Sequence, residues 1–152
     1  MGKTFAVLIL MVVASGPAVE AQRAWEWQAI AVATVADADY YGGGLGMGYR
    51  TDGRMRLEML ATVGDRAGRI AFRPEAVLSF HLNPYKREGL SPYAAAGVAF
   101  AINDGPDEQY LLASLGLEWR PGSNWGWFLE TGFGGGVRIA GGVQLRKRMR
   151  RR

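Results

Sequence analysis

From Trp25 onward, apolar and polar residues alternate with a period of two, and turn-forming residues recur every ten to fifteen positions. This rhythm predicts eight β-strands, over residues 25–36, 40–50, 54–64, 69–82, 92–102, 109–120, 125–133 and 137–146. The separators are Asp37–Asp39, Thr51–Gly53, Asp65-Arg66, Asn83–Ser91, Asn103–Glu108, Pro121–Asn124 and Gly134–Gly136. Nearly all contain Gly, Pro, Asn or Asp, residues that supply a positive or preset φ at turns. No helix is expected in this region. Pro74 falls inside the fourth strand and removes one ladder hydrogen bond, so a bulge or local irregularity is expected there.

The alternation sorts most strands into two faces. In the third, Met55, Leu57, Met59, Ala61 and Val63 oppose Arg54, Arg56, Glu58, Leu60 and Thr62. In the fourth, Ile70, Phe72, Leu78 and Phe80 oppose Arg73, Glu75, Ser79 and His81. The sixth sets Leu111, Leu115, Leu117 and Trp119 against Tyr110, Ser114 and Glu118, and the eighth sets Val137, Ile139, Val143 and Leu145 against Arg138, Gln144 and Arg146. The first and fifth strands do not declare a face. Eight such strands joined by short connections make an all-β, antiparallel, up-and-down barrel. A soluble barrel encloses its apolar set, whereas a membrane barrel turns it outward and keeps the charged set in the lumen.

Two features favour the membrane version. In a meander, Trp25, Trp27, Tyr49, Tyr93, Trp119, Trp125 and Trp127 all fall at the rim that holds the chain termini, where Trp and Tyr suit the headgroup level. The polar faces also carry opposite charges. A two-residue turn at Asp65-Arg66 would set Glu58 opposite Arg73 and Arg56 opposite Glu75, and a turn centred on Gly134 would set Glu130 opposite Arg138. Such cross-strand pairs, with Glu118 also on an inward face, would plug a closed lumen where an unpaired charge is costly.

Residues 1–21 have the order of a secretory signal peptide. Lys3 precedes ten apolar residues, Phe5–Ala14, and Val19-Glu20-Ala21 forms a cleavage site that leaves a mature chain starting at Gln22. Ten apolar residues fall well short of the roughly 20 that a membrane-spanning helix needs. Residues 22–146 then form the barrel, and residues 147–152 a basic tail. The net charge of +4 belongs to the C-terminal end: without residues 1–21 and the six basic residues of 146–152, the balance is −2. A nucleic-acid face is therefore not expected. The absence of cysteine and the single histidine exclude disulfides, thiolate sites and multi-histidine metal sites.

The run Ser91-Pro-Tyr-Ala-Ala-Ala-Gly-Val-Ala-Phe100, with the signal segment and the eight amphipathic strands, resembles small outer-membrane β-barrels of the OmpA/OmpX type. The resemblance implies an outer-membrane location in a Gram-negative-type bacterium. It also implies insertion by the outer-membrane assembly machinery; outer-membrane lipids are then expected partners, and the expected role is non-enzymatic, structural or in envelope integrity. Two alternatives stand beside it: a lipid A-modifying barrel enzyme, and a soluble exported carrier of lipidic ligands in the manner of lipocalins. Family barrels usually end in an aromatic residue, whereas this chain runs past Leu145 into basic residues.

No cofactor is expected. The glycines at 42, 43, 44, 46 and 48 lack dinucleotide spacing and suit a narrow barrel instead. Glu75, Ser79 and His81 are the best hydrolase set, but Ser and His two apart on a strand are separated by about 6.6 Å of rise. Asn103, Asp104, Asp107 and Glu108 read as a solvated turn rather than a calcium loop. The basic tail suits anionic lipid or peptidoglycan.

Overall fold

The computed structural model describes residues 23–51, 54–84, 88–103 and 107–148. The segment 1–21, Asp104 and the tail beyond Arg148 lie outside them. The chain forms eight strands: β1 (Ala24–Val35), β2 (Tyr40–Arg50), β3 (Met55–Arg66), β4 (Arg69–His81), β5 (Leu90–Ala101), β6 (Glu108–Trp119), β7 (Trp125–Phe133) and β8 (Val137–Arg148). Each pairs antiparallel with its sequence neighbour, and β8 closes on β1. Lys147 and Arg148, expected in the tail, thus continue the closing strand opposite Trp25 and Ala24.

The register fixes the shape of the barrel. Paired positions lead from Ala24 through Arg50, Arg56, Ser79, Ala95, Ser114, Gly132 and Arg138 to Thr34. One circuit therefore returns to β1 displaced by ten residues, so the strands tilt by roughly 40° to the axis. A barrel of eight strands is just wide enough for side chains to fill. The glycines make this closure possible. At Gly44 a Cβ would run into the Ala61 carbonyl and lie 2.6 Å from Thr62 Cα, so the chain is smooth where β2 and β3 cross the inside wall.

The β3–β4 hairpin turns at Ala67-Gly68, two residues beyond the expected Asp65-Arg66. Both central residues have positive φ, +50° and +79°, as a type I′ turn requires, and Asp65 Oδ1 accepts the Gly68 N–H at 3.0 Å. This corrects the expected pairing: Glu58 faces Val77, Arg73 faces Thr62, Arg56 faces Ser79 and Glu75 faces Leu60. The β7–β8 turn is likewise one residue later and sets Gly132 opposite Arg138. At Pro74 there is a gap rather than a bulge. Phe72 and Ile102 exchange two hydrogen bonds of 2.9 Å, and the ladder resumes in the same register at Glu75 and Ala99. Pro74 has no N–H for the bonding position between them.

The faces follow the outward version of the barrel. Leu111 is 82% exposed, Ile70 81% and Leu45 70%, whereas Arg56, Glu26 and Glu118 are fully buried. A soluble carrier needs the reverse arrangement. On β1, Glu26, Gln28, Ile30, Val32 and Thr34 point inward, and on β5 Ser91, Tyr93, Ala95, Ala99 and Ala101 do. No helix of the described residues is long and apolar enough to cross a membrane.

Candidate functional site in the lumen

Among the described residues, five glutamates and five arginines are buried in the lumen. They fall into two sets, each with equal numbers of acids and bases. At the end where the chain termini lie, Glu26, Glu58 and Glu118 meet Arg50, Arg56 and Arg146. Arg50 Nε lies 2.8 Å from Glu26, and its Nη2 lies 3.0 Å from Glu118. Arg56 reaches Glu26 at 3.2 Å and Glu58 at 3.1 Å. Arg146 binds Glu26 at 3.1 Å and also pairs with Glu118. His81 Nε2 sits 2.8 Å from Glu118, while Ser79 donates to Glu58 at 2.6 Å and Gln28 donates to the same carboxylate.

The second set lies toward the opposite, loop end. Arg73 meets Glu75 at 2.8 Å, and Arg138 bridges Glu75 at 3.0 Å and Glu130 at 2.8 Å. Arg73 also donates to Thr34 at 3.1 Å and to the Gly134 carbonyl at 3.0 Å. Its guanidinium lies over the Tyr40 ring, 5.4 Å from the centroid. Each charge is thereby matched where water is excluded, the condition under which buried ions are tolerable.

Tyr93 joins the two sets. Its ring stacks on His81 at 5.1 Å and lies 5.2 Å under the Arg56 guanidinium, and its hydroxyl donates to Glu130 at 2.7 Å. The ring occupies the space above Gly116, its cross-strand partner, where any Cβ would collide with it. Tyr93 was expected in the aromatic girdle. It is 1% exposed and inside, because β5 starts at Leu90 and its alternation turns Ser91 and Tyr93 inward. The other six expected rim residues do face outward at the terminus end. Trp25 packs on Tyr49 at 5.2 Å, and Trp119 stacks on Trp127 at 6.1 Å.

Glu130 and Arg138 do meet, diagonally rather than face to face. Glu58 and Arg73 fall in different sets, as do Arg56 and Glu75; Arg56–Glu58 and Arg73–Glu75 pair along their own strands instead. Glu26 and Arg50 escaped the expectation altogether. The signal was present in Trp25-Glu-Trp-Gln28, where bulky aromatics alternate with polar residues, but the alanines that follow obscure which face is which. Glu75, Ser79 and His81 are each engaged by a different partner, and Ser79 and His81 address different carboxylates. Glu108 pairs with Arg66 at 2.5 Å. No group of three or more acidic or histidine side chains is arranged around a common metal position among the described residues.

At the loop end, Thr34, Tyr40, Arg66, Arg73, Tyr110 and Gly134 line a cavity of about 10 Å³, the size of one water.

The N-terminal β-barrel domain of Pseudomonas aeruginosa OprF is similar to this chain, with a TM-score of 0.63 and 21% identity over 84% of this chain and 100% of that one. The fold is that of the small outer-membrane barrels. The outer membrane protein OprG from the same organism matches with a TM-score of 0.59 and 12% identity, over 85% and 98% of the two chains. Neisserial surface protein A gives 0.51 and 13%, over 81% and 96%. No protein-family profile matches the chain, and no curated protein matches it by sequence.

Proposed function

We propose that this chain is an integral outer-membrane barrel of a Gram-negative-type bacterium, with a plugged lumen and a non-enzymatic role in the structure or integrity of the envelope. The observation that carries the reading is the inversion of the two faces. The outer wall is apolar, and ten charged side chains balanced in sign are enclosed. In water this arrangement would expose an apolar surface far beyond the few hundred Å² that soluble monomers tolerate. In a bilayer it is the stable one. The fold shared with outer-membrane barrels supports the same location. Its lipids and the assembly machinery of that membrane would then be the partners.

Fractionation of cells producing the chain tests this directly. The expected outcome is recovery in the outer-membrane fraction, released by detergent and beginning at Gln22. Recovery as a soluble periplasmic protein without detergent would sink the proposal.

A further inference from the structure

On the outward faces of the described strands there are two charged side chains. Asp65 lies at the loop rim of β3, and Lys147 at the terminus rim of β8. Lys147 faces Trp25 across the β8–β1 seam. Two residues further in, Leu145 lies between Trp27 on β1 and Trp125 on β7. All five tryptophans and Tyr49 thus sit on β6, β7, β1 and β2, flanking β8. At the same rim, β3, β4 and β5 turn outward Met55, Leu57, Phe80, Leu90 and Pro92, whose side chains carry no hydrogen-bond donor.

That sidedness is informative. A girdle that only anchors the barrel at the headgroup level works best when spread around the whole rim. Here the amphipathic rings are gathered in one sector around a lone ammonium. No acidic side chain faces outward from a strand at this rim, and the indole N–H groups have no protein acceptor among the described residues. An ammonium and indoles offer donors only. The complementary ligand offers acceptors only and carries negative charge, which describes a phosphodiester.

We propose that Lys147, with Trp25, Trp27 and Trp125 around it, recognises the headgroup phosphate of an anionic phospholipid in the leaflet at the terminus end. The inference rests on the barrel being membrane-embedded. Because every tryptophan lies in this rim, intrinsic fluorescence reports on the site. The full chain would be refolded into phosphatidylcholine vesicles holding a small fraction of phosphatidylglycerol brominated high in its acyl chains, or the same fraction of brominated phosphatidylcholine. The anionic lipid should quench as though enriched about fivefold near the indoles, the weight of one basic residue at an anionic surface. Lys147→Gln should bring the two lipids to near parity, Lys147→Arg should keep the preference, and a chain ending at Arg148 should keep most of it. Equal quenching by both lipids in the unaltered chain would overturn the proposal. So would a preference that survives Lys147→Gln but disappears with residues 149–152, since it would then belong to the tail. Quenching by neither lipid would instead overturn the membrane reading on which the site depends.

Discussion

Glu118 presents two carboxylate oxygens to three guanidiniums, those of Arg50, Arg56 and Arg146, and to the His81 ring. With no exposure to water, its charge is held entirely by those partners. Glu118→Gln leaves a surplus cation enclosed, and should cost about 3–5 kcal/mol in urea unfolding from vesicles. The two lumen sets also make a prediction about coupling. Glu130→Gln and Arg138→Gln remove the two ends of one contact, so their double-mutant cycle should show an interaction of about 0.5–3 kcal/mol. Glu58→Gln and Arg73→Gln fall in different sets with no shared partner, and their effects should add to within roughly 0.5 kcal/mol. A strong coupling between Glu58 and Arg73 would mean that the cross-strand register differs from that described.

At the scale of the strand, the alternation of the sequence was sufficient to assign faces in the third, fourth, sixth and eighth strands, and the turns were not sufficient to assign partners. The β3–β4 turn lies two residues beyond Asp65-Arg66, and an even displacement leaves every side chain on its own face. Arg56, Glu58, Arg73 and Glu75 were therefore legible as lumen residues, while their partners were not. The Ala67-Gly68 turn was hidden because alanine seldom takes positive φ, so it carried no turn signal. Tyr93 was misplaced for a similar reason: the small residues of β5 suit either face, and its parity shows only once the strand is known to begin at Leu90. Ala67→Asn or Ala67→Gly, which tolerate φ of +50° better, should raise stability by about 1 kcal/mol, seen as a higher urea midpoint with unchanged slope. Because β8 runs to Arg148, removal of residues 149–152 should leave membrane insertion intact, as judged by protease protection in vesicles.

For the molecule as a whole, the plugged lumen we propose bears on transport. A cavity at the loop end has room for about one water, and the lumen also holds two ion-pair sets, Tyr93 and an apolar group that includes Ile30, Leu60, Leu112 and Phe128. The wild-type barrel should show no steady conductance in planar bilayers. A stable open pore passing small solutes would make the protein a porin and overturn the plug. The short connections of the loop end, among them the two-residue β3–β4 turn, also leave little surface for a large receptor or adhesive face there.

The distribution of the lumen charges among the strands has a consequence for the order in which the barrel is built. Glu26, Glu58, Glu75, Glu118 and Glu130 all reside on β1 to β7, whereas Arg138 and Arg146 arrive on β8. A sheet of the first seven strands would hold three arginines against five glutamates, with one cation missing from each set. The last strand therefore completes the hydrogen-bonded circle and discharges the interior in the same step. An intermediate with β8 undocked is open at its edge and also electrically unbalanced along its whole length, so the half-closed barrel is disfavoured twice over. Neutralisation thus acts as the latch of the final zipping.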